Sequence, residues 1–370
     1  MAQPIPLSRP DITQKEIDAV TDVMHGYTLS IGPRVEQFER QCAKVSGRRH
    51  AVAVSSGTAG LHCAMIAAGV GPGHEVITTP FSFVASANCI LFEGATPVFA
   101  DIDPRTLNLD PDAVEAAITE QTKAIVAVDI FGYPCELGEL RRLADRYGLA
   151  FVEDACEALG ARYRGRPLGS FSHPAVFAFY PNKQVTTGEG GAVAVQTQEE
   201  WRLVKSLANQ GRADSGGWLE HARYGYNYRL DDLSAAVGLA QIERLDELLA
   251  LRSAAAARYA ELLREIAEAS TLLADDADHR RSWFVYPVRL AAGIDRERVI
   301  ARLTERGIAT SRYLPSIHLQ AYMRERFGYQ EGMFPVAEEA SRVLLSLPFF
   351  TNISAAQQER VVEELAAALR

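Results

Sequence analysis

The sequence predicts an α/β fold: a mainly parallel sheet with helices on both faces, joined to a smaller α+β domain at the C-terminal end. From residue 51 onward, short runs that are apolar throughout alternate with helical stretches, the pattern of strands buried on both faces. Two further apolar runs, at 175–179 and 192–195, are joined by a glycine-rich turn and bring the large sheet to seven strands. After a long alanine- and leucine-rich helix the texture changes to mixed strand and helix. The large domain is therefore expected over residues 1–250 and the small one over 251–370.

Residues 13–24 read as a helix capped by Asp11 or Thr13, and 33–45 as a second, entered through Gly32-Pro33. Strands are expected at 51–54, 76–78, 97–100, 124–129 and 149–152, with helices at 58–68, 82–92 and 136–147 between them. The glycines of Gly69-Val-Gly-Pro-Gly73 follow a helix and lead into a strand, so they read as a turn and not as a dinucleotide loop. Past the second apolar pair come a helix at 198–208, a loop marked by Ser215-Gly216-Gly217, and one long helix over 231–267 with a break near Leu251. The last unit offers an apolar run at 283–290 and helices at 296–306, 335–345 and 354–369.

Composition narrows function by exclusion. The chain has 370 residues, 48% of them hydrophobic, enough to bury a large core. A net charge of −9 argues against a nucleic-acid surface and leaves local arginines to hold any anionic ligand. The cysteines are five, an odd number, without C-x-x-C spacing, which indicates neither a disulfide framework nor a zinc site. Residues 1–14 hold no apolar signal core and no apolar run approaches a membrane span, so a cytoplasmic protein without membrane or metal is expected.

The chemistry centres on Lys183. The apolar run 175–179 breaks at Pro181, presents this lysine, and turns through Gly188, Gly190 and Gly191 into the next strand. Alone, such a lysine is more often a solvated residue on a hairpin. Among apolar walls, however, a cation is costly unless paired or neutralised, and capture by an aldehyde neutralises it. Three other features converge. Ser55-Ser56-Gly57-Thr58 follows a strand and opens a helix, which makes an anion cradle suited to a phosphate monoester, although such a sequence is as often a simple cap. Asp154 ends a strand, where its carboxylate would meet a protonated pyridine nitrogen or cap a helix. Phe83 follows another strand end and offers a ring to stack on a flat ligand or to pack in the core. Lysine, strand-end aspartate, cradle and aromatic together describe pyridoxal 5′-phosphate (PLP) better than any nucleotide.

The segments Ser56-Gly-Thr-Ala, Glu153-Asp-Ala, Phe179-Tyr-Pro-Asn-Lys183 with Thr187-Gly-Glu-Gly-Gly191, Gly225-Tyr-Asn-Tyr-Arg229 with Ala235-Ala236, and Ile317-His-Leu-Gln320 resemble the DegT/DnrJ-type sugar aminotransferases. The resemblance runs from about Ile5 to the C-terminal end, with the motifs in order. It implies a fold-type I PLP-dependent transferase that aminates a keto sugar nucleotide, acting as a homodimer. It further implies Lys183 as the Schiff-base lysine, Asp154 on the pyridine nitrogen, Phe83 on the ring face, and Ser56, Gly57 and Thr58 about the phosphate. Asn227 matches an asparagine that reaches the neighbouring subunit's phosphate, and His318 a histidine lining the sugar site. Arg229, Arg312 and Arg223 are candidates for a substrate diphosphate, or ordinary surface arginines.

Three departures from the family pattern bear on the site. Ala178 stands where a phosphate-touching serine is usual. Glu157 stands where many members carry histidine or glutamine near the cofactor's phenolic oxygen, and Ser316 where a proline is common. Glutamate is the expected amino donor, and a 4-keto-6-deoxyhexose the expected acceptor, with amination at C3 as the alternative. A dehydratase is disfavoured because resembling dehydratases replace the lysine with histidine. A regulatory PLP-binding protein without turnover is disfavoured by Lys183, Asp154 and His318 together.

Overall fold

The computed structural model describes residues 3–213, 217 and 219–370. A seven-stranded sheet runs in the order His50–Val54, Gly191–Val195, Ala175–Ala178, Ala150–Asp154, Thr122–Val128, Glu75–Thr78, Thr96–Phe99. Gly191–Val195 is antiparallel to both its neighbours, and the other pairs are parallel. The odd strand is the return arm of the lysine turn, since a parallel partner would need a long crossover. The parallel strands are joined by helices such as Gly57–Ala67, Ala85–Phe92 and Leu137–Tyr147, so their C-terminal ends share one edge of the sheet.

Local chemistry explains most element boundaries. Thr13 caps Gln14–Gly26 with a capping box completed by Glu16, and Pro33 occupies the first turn of Pro33–Val45. The helix expected from Ser82 begins instead at Ala85, which leaves Ser82 and Phe83 in the loop beyond a strand end. The single helix expected over 231–267 is two helices, Asp232–Glu243 and Leu245–Leu262, parted at Arg244 and not at Leu251. Arg244 is buried and pairs with Asp11 at 2.9 Å, Glu16 at 3.1 Å and Glu247 at 3.1 Å, so long-range ion pairs fix the junction. Helix Pro335–Val343 stops earlier than expected because Leu344–Leu347, entirely buried, pairs antiparallel with Tyr286–Leu290 in a three-stranded sheet. Ser215 and Gly216 lie outside the described residues.

Two large apolar cores meet along one helix. Leu245 and Leu248 of Leu245–Leu262 pack in the core of the large sheet with Phe38, Phe179 and Ile125. Ala255, Ala256 and Tyr259 of the same helix pack in the second core with Val288, Leu345 and Leu365. Ile5 also belongs to that second core and pairs with Ile308, so the N-terminal strand segment lies against the C-terminal unit. All the cysteines are free, and four of them are buried. Among the described residues no helix is long and apolar enough to cross a membrane.

Candidate active site

At the C-terminal edge of the large sheet lies a cavity of about 640 Å³. Its floor is made of strand ends and the turns that follow them. Asp154, the last residue of its strand, is 4% exposed. Its Oδ2 accepts a hydrogen bond from the Ser86 hydroxyl at 2.7 Å and its Oδ1 accepts from the Cys156 N–H at 3.2 Å. Ser86 in turn shares a 2.9 Å hydrogen bond with Ser82 in the loop that precedes its helix. These donors are neutral, and Asp154 forms no ion pair among the described residues. A buried carboxylate so placed is stabilised by a cationic ligand group.

Lys183 is delivered by the turn between two buried strands. The Phe179 N–H donates to the Gly190 carbonyl at 2.9 Å, the Thr187 N–H to the Phe179 carbonyl at 3.0 Å, and the Lys183 N–H to the Tyr180 carbonyl at 2.9 Å. Gly188, at φ 83°, supplies the left-handed residue that closes this turn. The lysine Nζ lies 3.8 Å from Glu157 Oε1 and 3.9 Å from the centroid of the Phe284 ring. Glu157 Oε2 accepts the Phe131 N–H at 2.9 Å. Burial pushes the Glu157 carboxyl above the usual carboxylate range, against the pull of the Lys183 ammonium and the Phe131 amide.

The helix Gly57–Ala67 starts at the same cavity. Ser56 caps it by accepting the Ala59 N–H at 3.1 Å, and the first amides, having no intrahelical acceptor, form an anion site with the positive helix end. Gly57 is required by close approach, because a Cβ there would stand 2.8 Å from the Ala178 Cβ and 3.0 Å from the Cys156 sulfur. Phe83 lines the cavity with 60% of its surface exposed, so that its ring is open to a ligand.

Residues 10–366 match the model of the DegT/DnrJ/EryC1/StrS aminotransferase family. The spore coat polysaccharide biosynthesis protein SpsC of Bacillus subtilis (strain 168) is 38% identical over 372 residues, covering 97% of this chain and 95% of that protein. The chain belongs to this family. Its structure is similar to that of S. venezuelae DesV in complex with ketimine intermediate, with a TM-score of 0.93 at 34% identity over 100% of both chains. It is also similar to the PLP-form of Spr1654 from Streptococcus pneumoniae, with a TM-score of 0.93 at 28% identity over 99% of this chain and 98% of that one.

This aminotransferase is therefore a PLP-dependent sugar aminotransferase of fold type I. The residues present fit the cofactor. The buried Asp154 lacks a cation, the helix start offers amides to a phosphate, Phe83 offers an open ring face, and Lys183 offers an amine beside a carboxyl. Ser56, Gly57, Thr58, Phe83, Asp154, Glu157, Lys183 and Arg312 all line the one cavity.

Other sequence-predicted residues are not brought there within one chain. Asn227 is exposed in the strand-like segment opposite Asn209, between Tyr226 and Tyr228, whose rings stack at 4.9 Å. Arg229 donates to Asn209 Oδ1 at 3.0 Å and lines a separate small hollow with Glu39 and Lys205. Arg223 is exposed outside the cavity. His318 is fully buried, with its Nε2 3.1 Å from Glu338 Oε1 and the Phe334 ring against it, and it too lies outside the cavity lining. Arg312 reaches the cavity while paired with Glu297.

The cavity also holds residues that sequence reasoning missed: Ser86 behind Asp154, Phe284 against the lysine, Tyr313 packed on Phe284 and Phe131, Asn182, and the exposed Tyr180. Burial, and the neighbouring Glu157 charge, push the Tyr313 hydroxyl well above its ordinary pKa. A Ser-x-x-x-Ser spacing after a strand end was the one available signal for the Ser82–Ser86 relay. Phe284 sits in an apolar run that reads only as a strand.

Proposed function

We propose that the enzyme moves the amino group of glutamate to a nucleotide-linked 4-keto-6-deoxyhexose, aminating C4, in the synthesis of a polysaccharide or a secondary-metabolite sugar. The observation that carries this reading is one cavity with an amine and two buried carboxylates at its floor and the more exposed Tyr180 and Arg312 toward its mouth. Its size suits a cofactor together with a sugar. The name of SpsC, a polysaccharide biosynthesis protein, supports the pathway class.

When bound, PLP supplies an electron sink for the carbanion formed by deprotonating the amino acid. The residues of the chain do the rest. The Asp154 carboxylate keeps a positive charge at the floor, held in place by Ser86 and the Cys156 amide. The Nζ amine of Lys183 takes the proton from the donor's α-carbon and later gives one to the acceptor's carbon, with Glu157 and Phe284 beside it. Amides of residues 57 and 58 hold phosphate, and Arg312 offers charge-assisted hydrogen bonds to donor carboxylates or a diphosphate.

The test is transfer of ¹⁵N from glutamate to paired 3-keto and 4-keto sugars on UDP, GDP and dTDP carriers, with the amino group located by NMR. Amination at C4 is expected. Amination at C3 alone would move the position and keep the substrate class, whereas failure with every keto sugar while glutamate still gives up its amine would remove that class.

The same reading gives the active unit as a cytoplasmic homodimer, in which the exposed Asn227 completes the partner's phosphate site. Mixing inactive Lys183→Ala and Asn227→Ala chains after dissociation is expected to restore one intact site per heterodimer. No recovery from demonstrated heterodimers would show that each subunit builds its site alone.

A further inference from the structure

Arg252 is a buried arginine that makes no ion pair among the described residues, with 2% of its surface exposed. It lies in helix Leu245–Leu262, between the part that packs in the large core and the part that packs in the second core. Burial draws its guanidinium down to about 10, so it is charged at neutral pH. Buried arginines ordinarily meet carboxylates. This one meets main-chain carbonyls. Nη2 donates to the Lys183 carbonyl at 3.1 Å, while Nη1 donates to the Trp283 carbonyl at 3.2 Å and the Phe284 carbonyl at 3.1 Å. The Phe349 ring closes its other side, 5.6 Å from Cζ to the centroid.

Those carbonyls are not scattered. One belongs to the lysine itself, and another to Phe284, whose ring centroid lies 3.9 Å from the lysine Nζ. Gln184 joins the same two segments through its Nε2, which donates to the carbonyl of Glu157 at 2.6 Å and to the carbonyl of Ser282 at 2.9 Å. The base of the Lys183 side chain and the wall against its tip are thus held to each other by one planar fork. A lysine ammonium has three rotatable donors but no fixed planar fork to hold the two segments in this geometry.

We infer that Arg252 is a positioning residue: its guanidinium locks the lysine turn to the Trp283-Phe284 segment and so sets where the Lys183 amine stands. The inference rests on the reading of Lys183 as the residue that joins PLP.

The experiment compares the unaltered enzyme with Arg252→Lys, which keeps the charge and loses the fork, and Arg252→Met, which keeps only the stem. Melting temperature, PLP retained after gel filtration, the rate at which added PLP forms a borohydride-reducible bond mapped to Lys183, and kcat and KM for glutamate are measured. Arg252→Lys is expected to melt within a few degrees of the unaltered enzyme and to retain PLP. Its rate of bond formation and its kcat are expected to fall about ten- to a hundredfold, with KM little changed, because the amine is misplaced while the binding groups are not. Arg252→Met is expected to lose at least as much. A folded Arg252→Lys enzyme that forms the bond at the unaltered rate would overturn the inference. So would a loss matched by the fall in folded protein, or the failure of both variants to fold, since either outcome makes Arg252 purely structural. Absence of label on Lys183 in the unaltered enzyme would bring down the cofactor reading and this inference together, whereas equal rates of labelling in all three proteins would remove the inference alone.

Discussion

The floor and the mouth of the cavity are built in different ways. At the floor, Asp154, Ser56 and Ala178 stand at or just beyond the ends of strands in the seven-stranded sheet, and Asp154 is 4% exposed. At the mouth, Phe83 is 60% exposed, Tyr180 is 51% exposed, and Arg312 comes from the segment that follows helix Arg296–Glu305. The floor is over-determined by ladder hydrogen bonds and packing, while the mouth is set by loops that can vary without disturbing the sheet. Chemistry common to a family belongs on the first and substrate choice on the second. Substitutions at the floor should therefore change the chemical step and those at the mouth should change binding.

Asp154→Asn is the most severe test of that division. It preserves shape and the Ser86 contact but removes the negative charge, so kcat is expected to fall about 10³-fold while the folded structure persists. Steady-state kinetics with circular dichroism on the same sample checks both, and a loss confined to KM would erase the distinction between floor and mouth. Next in size, Ala178→Ser adds a hydroxyl beside Gly57 at the cradle. One hydrogen bond to a charged phosphate contributes about 1.5–3 kcal/mol, so PLP is expected to be held about ten- to a hundredfold more tightly in equilibrium dialysis. Unchanged affinity would place the phosphate away from residue 178.

Arg312→Ala probes the mouth. The side chain is 60% exposed and already shared with Glu297, so a rise of about three- to tenfold in KM for glutamate or the sugar nucleotide is expected, with kcat held. A fall in kcat at constant KM would assign Arg312 to the chemical step.

The smallest effect is expected from Glu157→Gln, and it is read through pH. A carboxyl whose pKa is raised on folding holds its proton more tightly in the folded chain. Its contribution to stability is complete below the ordinary value of 4.5 and is lost as pH rises through the higher folded value. Glutamine has no such proton. The melting temperature of Glu157→Gln relative to the unaltered enzyme is therefore expected to improve as pH rises across that window. A constant difference would mean that Glu157 titrates alike folded and unfolded.

Much of this was legible in the sequence because the fold and the floor are written locally. Apolar runs gave the sheet, and the Pro181 and Gly188 positions gave the turn that presents Lys183. Where tertiary contacts decide, the sequence was silent. Glu243-Arg244-Leu245 and Ala250-Leu251-Arg252 look alike as helix, yet the break falls at Arg244, because Asp11 and Glu16 reach it from the far end of the chain. Arg252 was equally invisible, since an arginine in an alanine-rich helix reads as solvated and its partners are main-chain carbonyls at residues 183, 283 and 284. His318 and Asn227 stand outside the cavity, and no sequence spacing reports that His318 is instead buried against Glu338 and Phe334.

The central claim is that Lys183, at the end of the apolar turn and beside Glu157, is the residue that carries the cofactor. Borohydride reduction of the purified enzyme supplied with PLP, followed by proteolysis and mass mapping, tests it most directly. A phosphopyridoxyl label is expected on the peptide containing Lys183 and is expected to be lost in Lys183→Ala. A label on another lysine, or none with PLP in excess, would contradict it.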